Sequence, residues 1–301
     1  MKFFIKICTF VSLLFALSAY GASVIIHKEY TPDKPLVCTT YSDYFPFGYY
    51  ETDFRQHQIF KSVFEDILQD LNKPPKRFCS YRHIDSLQEA TIEIKSGKVQ
   101  LFMGAFYLPD DFDFIYPALL NNPVHLMMLP DKIDGIHHID DLKPLKGIYI
   151  QTEPFAPHIL NIFKQLSLTP VAHIDDAYRR LLIGEADYML GSYFYQYPQV
   201  LERGLKGYIA FSARPLWNMP MFFALSKSTK NAKEIHEYFR RIINKSFQEK
   251  IMQRIKELIE QKEQQTIGIV PPTYANLNAQ QTLTPADETS QKNDATPKEE
   301  Q

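Results

Sequence analysis

Aromatic side chains are concentrated in three short stretches, at residues 44–47, 106–107 and 193–195. Each stretch follows an apolar run that we predict to be a strand. Aromatic faces bind flat or cationic ligands, and a desolvated cation–π contact contributes about 1–2 kcal/mol. Asp43 and the acidic pair 110–111 stand nearby and could assist. These residues predict a site for a ligand with an apolar or cationic body; the alternative is that many of the aromatics are core residues and that the acids serve their loops.

Groups that could support catalysis or hold a metal are scattered along the chain. His137 and His138 precede Asp140 and Asp141 in a predicted loop, where adjacent side chains point apart, so we predict no metal site there. The sequence shows neither a Ser-His-acid motif nor a phosphate-binding glycine loop. A net charge of −2 with no dominant Lys/Arg cluster argues against nucleic-acid binding. We therefore predict a protein that is not an enzyme and needs no cofactor.

One segment of the chain occurs twice, as residues 94–107 (IKSGKVQLFMGAFY) and residues 181–194 (LLIGEADYMLGSYF). Each copy predicts the end of a helix, a glycine turn and a short strand. Gly97 and Gly184 suit the position just past a helix, where φ is often positive. Ligands of open α/β sheets bind beyond the carboxyl ends of strands, so Gly104 and Gly191 are expected to face each other across a cleft. Chance is the alternative, because helix, glycine and strand often follow one another in α/β folds.

The pattern of apolar residues predicts an α/β fold with two lobes, each a mostly parallel sheet flanked by helices. Lobe 1 comprises residues 22–125 and 221–269, lobe 2 comprises residues 126–220, and a two-strand hinge joins them. Strands are predicted at residues 36–39, 77–81, 99–103, 124–129, 147–150, 186–190 and 221–225. Helices are predicted at residues 59–71, 85–97, 157–166, 232–244 and 247–261, with a further helix capped by Asp175 and Asp176, and the last two are expected to pack on lobe 1.

Both ends of the chain differ from its body. Lys2 and Lys6 precede an apolar run at residues 7–19, which predicts a signal peptide over residues 1–21 and export to the periplasm as a soluble protein. A retained membrane anchor is the alternative, although the run is short for a spanning helix. Residues 270–301 are rich in Pro, Gln, Thr and charge, which predicts a disordered tail.

Removal of the signal peptide leaves two cysteines, Cys38 and Cys79, in an oxidising compartment. They lie on consecutive predicted strands, and consecutive strands tend to be neighbours. We predict a disulfide between them; two buried free thiols are the alternative.

Several segments, taken in order, resemble the periplasmic solute-binding proteins of family 3. These are LVCTTYSDYFPFGYY (36–50), IKSGKVQLFMGAFY, DLKPLKGIYIQTEP (141–154), LLIGEADYML and MFFALSK (221–227). The resemblance implies a monomer that closes two lobes on a small polar or amino-acid-like molecule and delivers it to the permease of an ABC importer. A periplasmic ligand sensor or interaction protein is the alternative, and a dehydratase-like enzyme a third possibility.

The charged groups with which this family holds an α-amino acid are missing from the matching positions. The family's Arg would follow Tyr107, and its acid would stand near Ser192. Arg82 and Arg214 are candidate replacements for the Arg, while Glu153 would compete with a carboxylate bound at the helix that follows residues 147–150. The candidate ligand-binding residues are Tyr44, Phe47, Tyr81, Arg82, Gly104, Ala105, Phe106, Tyr107, Gln151, Thr152, Ser192 and Tyr193.

Overall fold

The computed structural model describes residues 34–271, apart from residues 43, 53–57, 72–78, 83, 85–88, 90, 91, 94 and 108–111. This part of the chain forms strands, helices and two short 3₁₀ turns at Ile133–Gly135 and Ile139–Leu142. In chain order the longer elements are β1 (Leu36–Thr39), β2 (Tyr49–Thr52), β3 (Gln58–Lys61), α1 (Val63–Leu71), β4 (Cys79–Tyr81), β5 (Leu101–Ala105), β6 (Phe112–Met128), β7 (Gly147–Ile150), α2 (Pro157–Gln165), β8 (Thr169–Val171), α3 (Ile174–Leu182), β9 (Tyr188–Ser192), α4 (Tyr193–Glu202), β10 (Ala210–Phe211), β11 (Trp217–Ser226), α5 (Ala232–Ile242) and α6 (Lys245–Gln265).

The main sheet has two similar halves joined by long antiparallel strands. Its strand order is β4-β1-β5-β11-β6-β9-β7-β8, with β10 paired to β6. In the first half β1 is parallel to both β4 and β5, and in the second half β7 is parallel to both β8 and β9. Strands β6 and β11 are antiparallel to each other, and each closes one half of the sheet. The predicted α/β class, with mostly parallel strands flanked by helices, is confirmed.

The internal repeat corresponds to the same structural unit in each half. Gly97 and Gly184 both have positive φ, 71° and 75°, in the turns that precede β5 and β9. Gly104 and Gly191 are each the fourth residue of a five-residue strand. The glycine turns and the strands that follow them are confirmed, so the two similar sequences build two similar strand ends.

The first predicted helix starts later than its apolar period suggests. Residues Gln58–Lys61 form β3, which pairs with β2 in an antiparallel hairpin, and α1 begins at Val63. The Ser62 hydroxyl accepts a hydrogen bond from the Phe64 N–H at the start of α1, as an N-terminal cap does. The prediction of a helix from residue 59 was wrong because the apolar residues of a strand happened to continue the helical period.

The two connecting strands are longer than predicted. Strand β6 runs from Phe112 to Met128 and β11 from Trp217 to Ser226, whereas the sequence predicted only residues 124–129 and 221–225. Pro117 and Pro123 lie within β6, and proline is a common signal against a central strand. The pairing also changes register between Met221 and Phe223 of β11. A search for regular apolar patterns does not detect strands with such irregularities, so their full length was not predicted.

Most other predicted elements agree with the structure to within a few residues. The acidic pair expected to cap α3 lies inside its first turn, where Asp175 pairs with Arg203 and Asp176 with Arg180. The N-cap residue is His173, which makes no side-chain capping bond. Of the helix predicted at residues 85–97, residues 89, 92, 93 and 95 are helical, and residues 85–88, 90, 91 and 94 lie outside the described residues, as do the signal peptide and nearly all of the tail.

The last helix contacts both halves of the molecule. It was expected to pack on the first lobe, and Arg254 of α6 does bind Asp66 of α1 at 3.0 Å. Lys262, near the other end of α6, also binds Glu202 of α4 at 2.6 Å. Helix α6 therefore spans from the first half of the sheet to the helix that follows β9.

The predicted disulfide is present between Cys38 and Cys79, with 5.5 Å between their Cα atoms. It joins neighbouring strands β1 and β4, in which Leu36 pairs with Cys79 and Cys38 with Tyr81. Within the described residues, no helix combines the length and the apolar character needed to cross a membrane.

Candidate functional site

Side chains from the two halves meet at the ends of β1 and β9. Tyr44 lies in the loop after β1, and Tyr195 lies in the first turn of α4, directly after β9. Their rings stack with centroids 4.7 Å apart. Tyr44 is held in a tight turn, because its carbonyl accepts hydrogen bonds from the N–H groups of Phe47 and Gly48. Only 3% of the Tyr44 surface is exposed, so this stack is a buried contact between the halves.

Further aromatic rings of the first half surround Tyr44. The Tyr41 ring stacks on Phe106 at 5.8 Å, and Phe106 meets the edge of Tyr44 at 6.2 Å. Behind them, Gly104 has a φ of +80°, and a Cβ added there would come within 2.5 Å of the Phe64 ring. Only glycine fits this position without strain, so the aromatic wall requires it.

A hydrogen-bond chain connects Tyr44 to the second half. The Asn122 side chain, on β6, donates from Nδ2 to the Tyr44 hydroxyl at 3.2 Å. The Ser192 hydroxyl, at the end of β9, donates to Asn122 Oδ1 at 2.7 Å. All three residues are buried, so Asn122 links the loop after β1 to the end of β9.

Glu153 lies under the same end of β9 with 4% of its surface exposed. Its Oε1 accepts from the Ser192 N–H and its Oε2 from Gln196 Nε2, both at 2.6 Å. The Tyr178 hydroxyl in turn donates to Gln196 Oε1 at 2.7 Å. Burial raises the pKa of Glu153 to about 8, although the two donors lower it. The group therefore titrates near neutral pH.

The tyrosines of the cluster keep their protons. Burial raises the pKa of Tyr44 and of Tyr178 well above the ordinary value, and the nearby Glu153 raises both further. A phenol that stays protonated remains a hydrogen-bond donor. The site thus offers neutral aromatic donors around one titratable carboxyl group.

The structure brings part of the predicted site together. Tyr44, Phe106 and Ser192 belong to the cluster just described. Gln151 and Thr152 are exposed and lie directly before Glu153, whereas Tyr107 is 48% exposed at the end of β5. Buried beside or behind the aromatic wall are Phe47, Gly104 and Ala105.

Other predicted residues have different neighbours. The Tyr81 ring packs near Phe60 at 6.3 Å, and Arg82 binds Glu93 at 2.5 Å. Tyr193 stacks on Tyr197 at 5.2 Å, and Arg214 is exposed before β11. Asp43, Asp110 and Asp111 lie outside the described residues.

The histidine and aspartate cluster in the predicted loop has a local structural role. Asp141 Oδ2 accepts hydrogen bonds from the N–H groups of His137 and His138 at 2.9 and 2.8 Å. These two bonds lower the pKa of Asp141. The carboxylate thereby orders the start of a 3₁₀ turn.

Four polar residues of the cluster were not predicted as site residues, namely Asn122, Glu153, Tyr178 and Gln196. Glu153 had been noted only as a competitor for anions. Its position in the segment that follows the apolar strand β7 could have indicated a site residue. Gln196 offered none, because its contact with Gly191 depends on the sharp turn from β9 into α4, where a Cβ on Gly191 would come within 2.5 Å of it.

Comparison with solved structures identifies the fold. An amino-acid ABC transporter substrate-binding protein, AbpA, from Streptococcus pneumoniae, bound to L-arginine, is 16% identical with a TM-score of 0.55, over 77% of this chain and 96% of that one. A putative ABC transporter binding component from Wolinella succinogenes, complexed with lysine, is 16% identical with a TM-score of 0.57, over 76% and 96%. The periplasmic VFT2 domain of BvgS from Bordetella pertussis is 15% identical with a TM-score of 0.57, over 75% and 94%.

These likenesses extend over almost the whole of each neighbour and establish the class of fold. The chain has the α/β fold of the periplasmic substrate-binding proteins. No protein-family model matches the sequence, and no curated protein matches it.

Proposed function

We propose that this protein is a periplasmic solute-binding protein. It binds a small polar or amino-acid-like molecule between two lobes and delivers it to an ABC importer in the inner membrane. The lobes are those predicted from the sequence, residues 22–125 with 221–269 and residues 126–220, exported by the signal peptide at residues 1–21. The function is binding rather than catalysis, and it needs no cofactor.

The contact between Tyr44 and Tyr195 is the observation that carries this proposal. These residues follow β1 and β9, and the ends of parallel strands are where ligands of such sheets bind. Ser192 and Asn122 connect the same two segments by hydrogen bonds. A solute that enters here touches both halves of the molecule at once.

Strands β6 and β11 provide the hinge in this proposal. They run between the two halves and pair with each other from Phe112 to Val124, so a bend in them turns one half against the other. A solute that contacts both halves favours the closed arrangement by its differential affinity. The closed form is then what the permease recognises.

The neighbours support an amino-acid-like solute. One is bound to L-arginine, one is complexed with lysine, and a third is an ancestral cationic amino acid solute-binding protein. Because the family's charged residues are missing from the expected positions, this chain must hold such a solute by other groups. Tyr44, Asn122 and Ser192 are the first candidates.

Thermal unfolding of the purified protein tests the proposal. The panel contains amino acids, polyamines, quaternary amines, aromatic acids and small peptides. A solute at about a hundred times its Kd stabilises the folded state by about 2.7 kcal/mol, which raises the unfolding temperature by several degrees. Asn122→Ala should remove the shift, whereas Tyr116→Phe, a change at a side chain on β6 that is 60% exposed, should retain it.

A ligand sensor is the second candidate. Two of the structural neighbours are the BvgS domain and a histidine kinase sensor domain. In addition, direct bonds between protein groups already join the halves at Tyr44, Asn122 and Ser192. If no panel member shifts the unfolding temperature, the importer proposal fails and the sensor or interaction role takes its place.

A further inference from the structure

We propose that Glu153 is the anchor for a cationic group of the solute. The inference rests on the proposed function, and it names the class of solute as a small organic cation such as a basic amino acid or an amine. It assigns to Glu153 the pairing with a cation for which the sequence offered Asp43 and residues 110–111, which lie outside the described residues.

The hydrogen bonds around Glu153 all point toward it. Gln196 accepts from the Tyr178 hydroxyl through Oε1, so its Nε2 group faces Glu153 and donates. The N–H of Ser192, the N-cap residue of α4, donates to the other oxygen. Two N–H donors and the amino end of a helix stabilise a carboxylate more than a neutral acid. The two donors thus favour the ionised form of Glu153, which burial disfavours.

That charge has no protein cation to balance it in the described part of the chain. No Lys, Arg or His among the described residues forms an ion pair with Glu153, and its pKa is set by burial, Gln196 and Ser192. Arg203 lies over the Tyr178 ring, 5.8 Å from its centroid, and is already paired with Asp175. An isolated buried carboxylate is costly, so a ligand that brings a positive charge would stabilise the ionised form of Glu153.

Aromatic groups complete the environment for a cation. Tyr44, in the loop after β1, and Tyr178, on α3, both face Glu153 closely enough that its charge affects their pKa values. Tyr44 stacks on Tyr195, and opening the cleft separates these rings. A cation between them would meet two aromatic faces and a carboxylate together. Neutral and anionic solutes would gain none of the pairing energy.

Binding of a cation here displaces a proton. The pKa of Glu153 is about 8 without the ligand, so below that pH the group is mostly protonated, and pairing with a cation requires it to ionise. Affinity then increases with pH. With a pKa of about 8, the Kd falls roughly 50-fold between pH 6 and pH 8, and about one proton is released per ligand at pH 6 to 7.

Isothermal titration of the purified protein tests this directly. L-Lysine, L-arginine, agmatine and cadaverine serve as cationic probes, with L-norleucine and L-citrulline as neutral counterparts. Titrations at pH 6, 7 and 8, each in two buffers of different ionisation enthalpy, give both the Kd and the number of protons released. We expect binding of a cationic probe, tightening with pH, and no binding of its neutral counterpart.

Glu153→Gln provides the matched variant. It should weaken binding of the cation by at least tenfold at pH 8 and remove both the pH dependence and the proton release. Glu185→Gln makes the same chemical change at an exposed residue that pairs with Arg179 and should leave binding as in the wild type. If Glu153→Gln does not fold, the pH dependence and proton release measured on the wild-type protein test the proposal by themselves.

The outcomes separate the two proposals. Cation binding with no proton release, or with unchanged affinity in Glu153→Gln, would overturn the role of Glu153 and leave the solute-binding function intact. Binding of only neutral or anionic members of the wider panel would do the same. Failure of every panel member to bind would overturn both.

Discussion

The ends of β5 and β9 occupy matching places in the two halves of the sheet, yet their surroundings differ in chemistry. At Gly104 the space that a side chain would take is filled by Phe64 and Met221, and at Gly191 by the amide side chain of Gln196. The first end supports a wall of aromatic rings, and the second supports Glu153 through Gln196 and Ser192. Similar backbone units thus supply two different parts of the proposed binding site, stacking from one half and hydrogen bonding from the other.

Of the differences between the two halves, the disulfide is expected to have the largest effect on the free energy of unfolding. Strands β1 and β4 are joined by Cys38 and Cys79, 41 residues apart, whereas the sequence has no cysteine near β7 and β8. Replacing both cysteines with alanine should lower the free energy of unfolding by about 4 kcal/mol, from the entropy of the opened loop. Urea unfolding measures this, and an unchanged midpoint would show that the first half does not depend on its bridge.

Alanine substitutions at Gly104 and Gly191 test whether the two strand ends differ in how well they accommodate a side chain. Gly104→Ala places a Cβ against the Phe64 ring at a positive φ and should cost about 3 kcal/mol, from backbone strain and overpacking together. Gly191→Ala involves no positive φ but places a Cβ against the Gln196 side chain, which bonds Glu153, so its effect on urea unfolding should be smaller and its effect on solute affinity larger. Equal losses of stability would contradict the comparison.

The buried acid should make stability depend on pH. Glu153 has a pKa of about 8 in the folded protein against an ordinary value of 4.5, so below about pH 4.5 it is protonated in both states. As pH rises the unfolded chain ionises first, and the free energy of unfolding falls by up to about 1.4 kcal/mol per pH unit until the folded group ionises near pH 8.

Glu153→Gln should remove this contribution to the slope. Urea unfolding of both proteins between pH 5 and pH 8 measures the difference, and Glu185→Gln serves as the control. Parallel slopes for wild type and Glu153→Gln would show that the carboxyl group is already ionised in the folded protein at pH 5.

The smallest predicted effect separates stacking from hydrogen bonding at Tyr44. Tyr44→Phe keeps the ring on Tyr195 but leaves Asn122 Nδ2 without its partner, which should cost about 1 kcal/mol in urea unfolding. Tyr116→Phe, at an exposed side chain, should cost close to nothing. A loss of several kcal/mol in Tyr44→Phe would mean that the hydroxyl group contributes more to stability than the stacking of the ring.

Local sequence was enough to predict much of the framework. The repeated segment, the glycine turns at Gly97 and Gly184 and the bond between Cys38 and Cys79 depend on nearby residues or on neighbouring strands. The β2–β3 hairpin could not be predicted, because strand pairing overrides the helical period of its apolar residues. The full length of β6 could not be predicted either, because its pairing with β11 tolerates two prolines.

The candidate site was harder to predict than the framework. Tyr44, Phe106 and Ser192 were predicted from their positions after strands, and the structure brings them into one cluster. Arg82 was a candidate by charge, yet it pairs with Glu93. Glu153 accepts from Ser192 at the end of β9 and from Gln196 on α4, and Tyr178 on α3 in turn donates to Gln196. These groups come together only in the folded chain, so the burial of Glu153 could not be predicted from the sequence.

A crystal structure of the protein with the panel member that gives the largest thermal shift would show whether the solute binds between the two halves at Glu153. We expect a solute between Tyr44 and Tyr195, with a cationic nitrogen within about 3 Å of a Glu153 carboxylate oxygen. A solute bound elsewhere, with the Tyr44–Tyr195 stack unchanged and Glu153 still bonded only to Ser192 and Gln196, would contradict it.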